Sequence, residues 1–227
     1  MHDVTYEQPE SHFAYVVDNR DSTKGHKTES YYCMDQVEGW CSHQKASILI
    51  DIIASTAPKT IVEIGVWGGK SLLPMAYTLH RLGNGKIYGI DPWESEASLE
   101  GVKQEGNIGF WDRLDYEKVL NRLIEVIRWF ELKDNVELIR DTSANAPIID
   151  DIDILHIDGN HSDEASYLDV TKWVPLVKQG GWIIMDDMNW IEKGVVTTQR
   201  AIDYLNTHCH KIAEIDEGSL WGIWYKP

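Results

Sequence analysis

The sequence has little cysteine and no long apolar run, and each shortage excludes a class of protein. Its 227 residues include three cysteines without a CxxC spacing, so reduced thiols are expected rather than a disulfide framework. No apolar stretch approaches the roughly 18 to 20 residues of a transmembrane helix, so no membrane association is expected. The first residues lack the basic and apolar parts of a secretory signal, and a cytoplasmic protein is therefore predicted.

Basic residues are also scarce. Lysine and arginine total 21 against 37 acidic residues, which gives a formal net charge of −16. A field of this sign repels phosphate backbones, so we expect no nucleic-acid partner.

The length and the 43% hydrophobic content fit one large α/β domain. Residues 1–43 are polar and aromatic without a clear period, and they are predicted to form an arm that packs on the core. Residues 44–227 are predicted to be the domain itself. An interface through the aromatic arm, and hence a homo-oligomer, stays open.

Helical and strand patterns alternate along the domain, which predicts a mostly parallel sheet with helices on both faces. The last two strands are separated only by EGS and should form an antiparallel hairpin. In the first helix, Ile48, Ile52 and Ile53 are predicted to share one face. The fourth helix carries Tyr167, Leu168, Trp173 and Val174. The predicted helices are 44–57, 71–82, 116–132, 164–177 and 195–207. The predicted strands lie within 60–65, 83–91, 135–141, 151–158, 180–187, 211–216 and 219–226, and 92–115 is an irregular excursion.

The stretch VEIGVWGGKS, residues 62–71, predicts a strand, a glycine turn and a helix start. Such a turn lets the backbone approach a ligand closely. It does not match the G-x-G-x-x-G of dinucleotide sites, and Glu63 before the first glycine would suit a ligand carrying an ammonium or sulfonium. The alternative is a plain tight turn with a solvated Glu63.

Asp91 ends the second strand, where an acidic residue can accept hydrogen bonds from ribose hydroxyls. Alternatively it caps the turn before Pro92. Together, Glu63 and Asp91 favour a nucleoside ligand.

Three further carboxylates, Asp158, Asp186 and Asp187, follow the fourth and fifth strands. If those strands are neighbours, the three carboxylates converge at one edge and repel each other unless a cation neutralises them. Oxygen ligands suit Mg²⁺, Mn²⁺ or Ca²⁺, so a divalent metal, first Mg²⁺, is predicted. The alternative is that these residues serve as turn and cap formers.

The motifs VEIGVWGGKS, GIDPW, HIDGNHS and GGWIIMDD resemble those of class I S-adenosylmethionine-dependent methyltransferases. The resemblance covers about residues 44–227 and is closest to the branch of metal-dependent macrolide-sugar and aminocoumarin-sugar O-methyltransferases. It implies a Rossmann-like seven-stranded sheet of order 3-2-1-4-5-7-6 with strand seven antiparallel. Carried over by position, Asp91 holds the ribose, and Asp158 borders the cofactor. The methionine end would contact Glu63, Gly65, Gly69 and Ser71, and the adenine would lie near Asp141, Thr142 and Ser143.

The resemblance also implies a base three residues after the first metal ligand, which is His161 here. An imidazole is neutral often enough near pH 7 to take a proton from a metal-bound hydroxyl, which then attacks the sulfonium methyl. The alternative for His161 is a loop histidine hydrogen-bonded to its surroundings. His156 lies inside the strand and is predicted to be structural.

The predicted function is therefore a metal-dependent O-methyltransferase that acts on a small hydroxylated molecule, first a sugar of a secondary metabolite. Phe110, Trp111 and Trp190 are candidates for aromatic walls of the acceptor site. Two rivals stay open. A nicotinamide oxidoreductase would need the G-x-G-x-x-G motif, which is missing. A non-catalytic cofactor-binding scaffold would not need the intact set of Asp158, His161, Asp186 and Asp187.

Overall fold

Strands and helices alternate along the chain in the computed structural model, which describes residues 23–101 and 105–227. The strands are β1 (Thr60–Ile64), β2 (Lys86–Ile90), β3 (Val136–Ile139), β4 (Ile152–Ile157), β5 (Val177–Met185), β6 (Ile191–Glu192), β7 (Val195–Val196), β8 (His210–Asp216) and β9 (Leu220–Tyr225). The helices are α1 (Thr23–Met34), α2 (His43–Thr56), α3 (Leu72–Leu82), α4 (Ser95–Leu99), α5 (Glu105–Trp111), α6 (Tyr116–Trp129), α7 (Asp163–Trp173) and α8 (Gln199–His208). Short 3₁₀ turns follow α6 and α7.

The main sheet has seven strands in the order β3-β2-β1-β4-β5-β9-β8. Ile61 of β1 lies opposite Ile87 of β2 on one side and Ile154 of β4 on the other, and both pairings are parallel. Strand β9 runs antiparallel to both of its neighbours because the turn from β8 is too short for a crossover. Counting β8 and β9 as the sixth and seventh strands, the predicted order and the antiparallel strand are confirmed.

Apolar side chains fill a core on each face of the sheet. Ile61 and Leu123 belong to the core under α1, α2, α3 and α6. Val62, Val170 and Leu205 belong to the core under α7 and α8. Consecutive residues of β1 thus serve opposite cores, and each fully buried aliphatic side chain stabilises the fold by about 1.5–3 kcal/mol. Helices cover both faces of the sheet, as predicted.

The buried face of α2 differs from the predicted one. Ala46, Leu49 and Ile50 are buried together with Ile53, whereas Ile48 and Ile52 are half-buried. The buried positions follow an i, i+3, i+4, i+7 pattern, which is the stripe that one helix face presents to a core. Ile48 and Ile52 still pack against the same core as Ile53, so the predicted face is confirmed for Ile53 and is only partly buried at Ile48 and Ile52.

Two other predicted elements are corrected. The last helix was predicted from residue 195, but Val195–Val196 is a strand that pairs with Ile191–Glu192, and α8 begins at Gln199. The two loop residues, Lys193 and Gly194, both have positive φ, as a tight hairpin turn requires. In α7 the buried face includes Val170 and Trp173, whereas Leu168 is exposed.

The chain before α2 is described from residue 23 onward, and residues 1–22 of the predicted arm lie outside the described residues. Helix α1 buries Cys33 and Met34, and Tyr77 of α3 donates a 2.8 Å hydrogen bond to Glu29. The division of the chain at residue 43 stays a prediction. Every helix in the described residues is too short or too polar to cross a membrane.

Candidate functional site

The carboxyl ends of β1, β2, β4 and β5 open into a cavity of about 900 Å³. The first residues after these strands are Gly65, Asp91, Asp158 and Asp186, and all four line the cavity. This edge is where ligands bind in open α/β sheets. Five other predicted site residues also line it: Ser71, Thr142, Ser143, His161 and Asp187. The other three, Glu63, Gly69 and Asp141, are not part of the lining.

The turn after β1 is shaped by close packing. Gly65 has a φ of 84°, and a Cβ there would overlap the carbonyl oxygen of Asp158. Gly69 has a φ of 87°, and a Cβ there would overlap Leu123 of α6. Gly65 therefore brings the ends of β1 and β4 together, and Gly69 lets the turn pack on α6.

Asp91 connects the turns that follow β1 and β2. Its Oδ2 accepts a 2.8 Å hydrogen bond from the Trp67 amide, and its Oδ1 accepts a 2.7 Å bond from the Trp93 amide. Both tryptophans have left-handed backbone, with φ of 49° and 45°, which costs a non-glycine residue about 1–2 kcal/mol. Burial raises the pKa of Asp91 despite these bonds. Asp91 is thus a turn former, and a carboxylate has enough lone pairs to accept a further hydrogen bond from a ligand hydroxyl.

A chain of buried polar groups runs beneath the cavity. Ser71 donates to Oε1 of Glu63, and this oxygen lies 2.9 Å from Nδ1 of His156. Nε2 of His156 lies 3.2 Å from Oδ2 of Asp186, and the same oxygen contacts the ammonium of Lys45. His156 is fully buried with both ring nitrogens partnered, as predicted for a structural histidine.

The proton positions in this chain follow from burial. Burial and the Lys45 charge lower the pKa of His156 to about 3, and burial raises the pKa of Glu63 to about 8. A neutral imidazole has one N–H, so it can donate to Asp186 while its other nitrogen accepts from a protonated Glu63. In this arrangement, one hydrogen lies between His156 and Asp186 and one between His156 and Glu63.

Asp158, His161 and Asp187 meet at the floor of the cavity. Nε2 of His161 lies 2.9 Å from Oδ2 of Asp187, and Ser219 donates to the other oxygen of Asp187. Burial alone would lower the pKa of His161, but the hydrogen bond and charge of Asp187 raise it above its ordinary value. Burial would raise the pKa of Asp187, but His161 and Ser219 hold it at about 2. His161 and Asp187 are thus hydrogen-bonded partners, and the ring of His161 packs on Trp190 with 4.7 Å between ring centroids.

The segment after β3 reaches the cavity through Thr142 and Ser143. Asp141 instead accepts a 2.8 Å hydrogen bond from the amide of Thr142, so it shapes the turn. Ser143 hydrogen-bonds Asp169 of α7, whose pKa is raised by burial to about 7. Asp169 also lines the cavity, and its Oδ1 has no partner among the described residues.

Aromatic side chains form one wall. Trp40 is 69% exposed, and its ring centroid lies 6.1 Å from those of Trp67, Phe110 and Trp111. The predicted aromatic residues Phe110, Trp111 and Trp190 all line the cavity.

Sequence reasoning missed Lys45, Asp169 and Trp40. A lysine in the first turn of a helix opposes the helix dipole, and this was the available signal for Lys45. Asp169 shares a buried helix face with Ser166, Val170 and Trp173, and a carboxylate on such a face was the available signal for Asp169. Trp40 lies in a segment without a period, so no pattern identified it.

Two groups of side chains among the described residues bring potential metal ligands within 4.8 Å of one another. One is Asp158, His161 and Asp187, all partly exposed, and the other is His156, Asp158 and Asp186. Oδ1 of Asp186 is buried without a partner among the described residues. Carboxylate oxygens in this arrangement fit a hard divalent cation, with Asp158 and Asp187 best exposed to receive it.

Comparisons with known proteins identify the family of this chain. A family profile described as a methyltransferase domain matches residues 62–188. No curated protein sequence matches the chain.

Several solved structures share the fold. An O-methyltransferase from Bacillus cereus, in complex with S-adenosylhomocysteine, is 15% identical with a TM-score of 0.60, over 94% of this chain and 96% of the other. TomG from Streptomyces achromogenes, an O-methyltransferase of tomaymycin synthesis solved with S-adenosylmethionine, is 12% identical with a TM-score of 0.58, over 94% and 95%. The O-methyltransferase NovP is 22% identical with a TM-score of 0.54, over 81% and 78%.

Proposed function

The chain belongs to the methyltransferase-domain family and is a class I S-adenosylmethionine-dependent methyltransferase, and we propose that it methylates a hydroxyl of a small molecule with a divalent metal. The observation that carries the proposal is the meeting of Asp158, His161 and Asp187 at the cavity floor, beside the glycine turn. A base and two cation ligands at this place would lie next to the cofactor turn, where they would orient and activate an acceptor hydroxyl.

The cofactor would follow the turns at the sheet edge. Its ribose hydroxyls would donate to Asp91, and its adenine would lie by Asp141, Thr142 and Ser143. Its methionine end would meet the turn of Gly65 to Gly69 with Ser71, and Asp158 would border it. Glu63 lies behind Ser71 and would position the hydroxyl of Ser71 by accepting its hydrogen bond.

Asp158 and Asp187 are the two residues that we propose hold the cation, first Mg²⁺. Asp186, the third predicted ligand, contacts Lys45. When bound, a divalent cation would lower the pKa of a hydroxyl on an acceptor that chelates it.

His161 would be the base. It would take the hydroxyl proton as the oxygen forms its bond to the methyl carbon and the carbon–sulfur bond breaks, which leaves S-adenosylhomocysteine. Asp187 orients the imidazole and stabilises its protonated form.

The acceptor would be a neutral or cationic hydroxylated ring. The described lining holds nine carboxylates and two lysines, which disfavours polyanions, and the Trp40 wall suits a sugar or a flat ring. A sugar of a secondary metabolite stays the first choice, and nucleic acid stays an unexpected partner.

Calorimetry and methyl transfer test the proposal. S-adenosylhomocysteine should bind with and without EDTA, whereas mass-spectrometric screening of hydroxylated metabolites should detect methylation only with a divalent metal. His161→Ala should lower kcat by about 10²–10⁴-fold without changing cofactor affinity, while the surface control His208→Ala should match the wild type. Methyl transfer that survives EDTA would refute the metal, and an active His161→Ala would remove that base.

A further inference from the structure

Lys45 occupies an unusual place for a cation. It lies in the first turn of α2, where the dipole favours anions, and it is only 6% exposed. Ser42 caps the turn by accepting a 2.9 Å hydrogen bond from the Lys45 amide. A buried ammonium at this position needs a compensating partner.

That partner is Asp186. The Lys45 ammonium contacts Oδ2 of Asp186, and the side chains are 7% and 8% exposed. The ring of Trp221 lies 5.7 Å from the ammonium, which further shields the pair from water. The remaining oxygen of Asp186, Oδ1, is buried and has no partner among the described residues.

The two adjacent acids therefore have different surroundings. Asp186 turns inward to Lys45 and His156, whereas Asp187 turns to Ser219 and His161. Asp187 has a φ of 49°, and this left-handed backbone separates the directions of the two side chains. The separation brings Asp187 together with Asp158 and His161 in one group of potential ligands, and Asp186 belongs to the other group.

We propose that Lys45 is the resident counter-ion of Asp186, that it withholds this carboxylate from the divalent cation, and that it thereby sets the cation affinity of the site. The proposal rests on the metal dependence proposed above. The Lys45 ammonium repels a cation held by Asp158 and Asp187, and the negative charge of Asp186 offsets part of this repulsion. Removing the charge of Lys45 would free one carboxylate and remove that repulsion.

The probe is Mn²⁺ alone, titrated into the full chain and followed by electron paramagnetic resonance. Lys45→Met keeps the length of the side chain without its charge, and we expect Mn²⁺ affinity to rise at least about tenfold. Asp186→Asn should weaken binding because Lys45 is left uncompensated. The double variant Lys45→Met with Asp186→Asn should return to within about threefold of the wild type, since the pair is neutral as a unit.

Matched controls separate charge from ligation. Lys86 pairs with Glu137 at 3.0 Å outside the cavity lining, and Lys86→Met should leave Mn²⁺ affinity unchanged. Asp187→Asn should abolish binding. Asp186 would be a true ligand if the double variant bound as weakly as Asp187→Asn, and this result would overturn the proposal.

The outcomes also separate this proposal from the proposed function. Equal Mn²⁺ affinities of the wild type and Lys45→Met would refute only the role of Lys45. Absence of Mn²⁺ binding in both would refute the metal dependence as well, while methyl transfer would remain measurable. Thermal melting and binding of S-adenosylhomocysteine check the fold of each variant. If Lys45→Met does not fold, the double variant decides, because replacing both members leaves no buried unpaired charge.

Discussion

Substituting Gly65 by alanine tests how the glycine turn builds the site. Gly65 has a φ of 84°, and an added Cβ would lie less than 3.0 Å from the carbonyl oxygen of Asp158. Gly83, which ends α3, is the matched control. Its φ is 66°, and no described atom lies within 4 Å of a Cβ placed there.

The two variants share one cost and differ in another. Left-handed backbone costs an alanine about 1–2 kcal/mol at either position. At Gly65 the clash is with backbone, which can move only if β1 separates from β4, and overpacking of this kind costs a further 1–3 kcal/mol, roughly. We therefore expect Gly65→Ala to lower the free energy of unfolding by about 2–5 kcal/mol and Gly83→Ala by about 1–2 kcal/mol.

Urea unfolding followed by the fluorescence of the ten tryptophans measures both values. The Gly65 variant should also lose affinity for S-adenosylhomocysteine in calorimetry, because the displaced β4 end carries Asp158 away from the turn. The Gly83 variant should keep that affinity. Equal destabilisation of the two variants, with cofactor binding intact in both, would show that the ends of β1 and β4 are not in contact.

Two further predictions concern stability and the acceptor. Asp153 accepts hydrogen bonds from the amides of Lys59 and Thr60 at 2.7 and 2.9 Å and pairs with Lys178 at 3.0 Å. Burial would raise the pKa of Asp153, but these partners lower it below 3.8, so its stabilisation is present above that value and is lost as pH falls through the folded pKa. Asp153→Asn should lower the free energy of unfolding by about 1 kcal/mol at pH 7, because solvent screens the partly exposed pair, and by less near pH 3.5. A cost that does not change with pH in urea titrations would contradict this expectation. Trp40→Ala should change the free energy of unfolding by under about 0.5 kcal/mol because the side chain is 69% exposed. It should nevertheless raise the acceptor KM about 3- to 10-fold. An unchanged KM would show that Trp40 is not part of the acceptor site.

Local sequence determined the order of elements and the edge where the site lies. Short apolar runs identified β1 and β4 because buried parallel strands are apolar on both faces. The three-residue EGS turn required the antiparallel hairpin, and the acids placed directly after strands, such as Asp91 and Asp158, marked the carboxyl edge of the sheet.

Tertiary structure alone decided which groups meet. Lys45 and Asp186 are 141 residues apart, and Ser219 is 32 residues from Asp187. Periodicity shows which face of an element is buried but not what lies opposite, so the different partners of Asp186 and Asp187 had no local signal. The same reason explains why Ile48 and Ile52 are only half-buried. The stripe of α2 that contains Leu49 faces the core directly, and the packed neighbours decide which stripe does so. The sequence thus determined the fold and the chemistry of the edge, whereas packing between distant segments decided how its charges are paired.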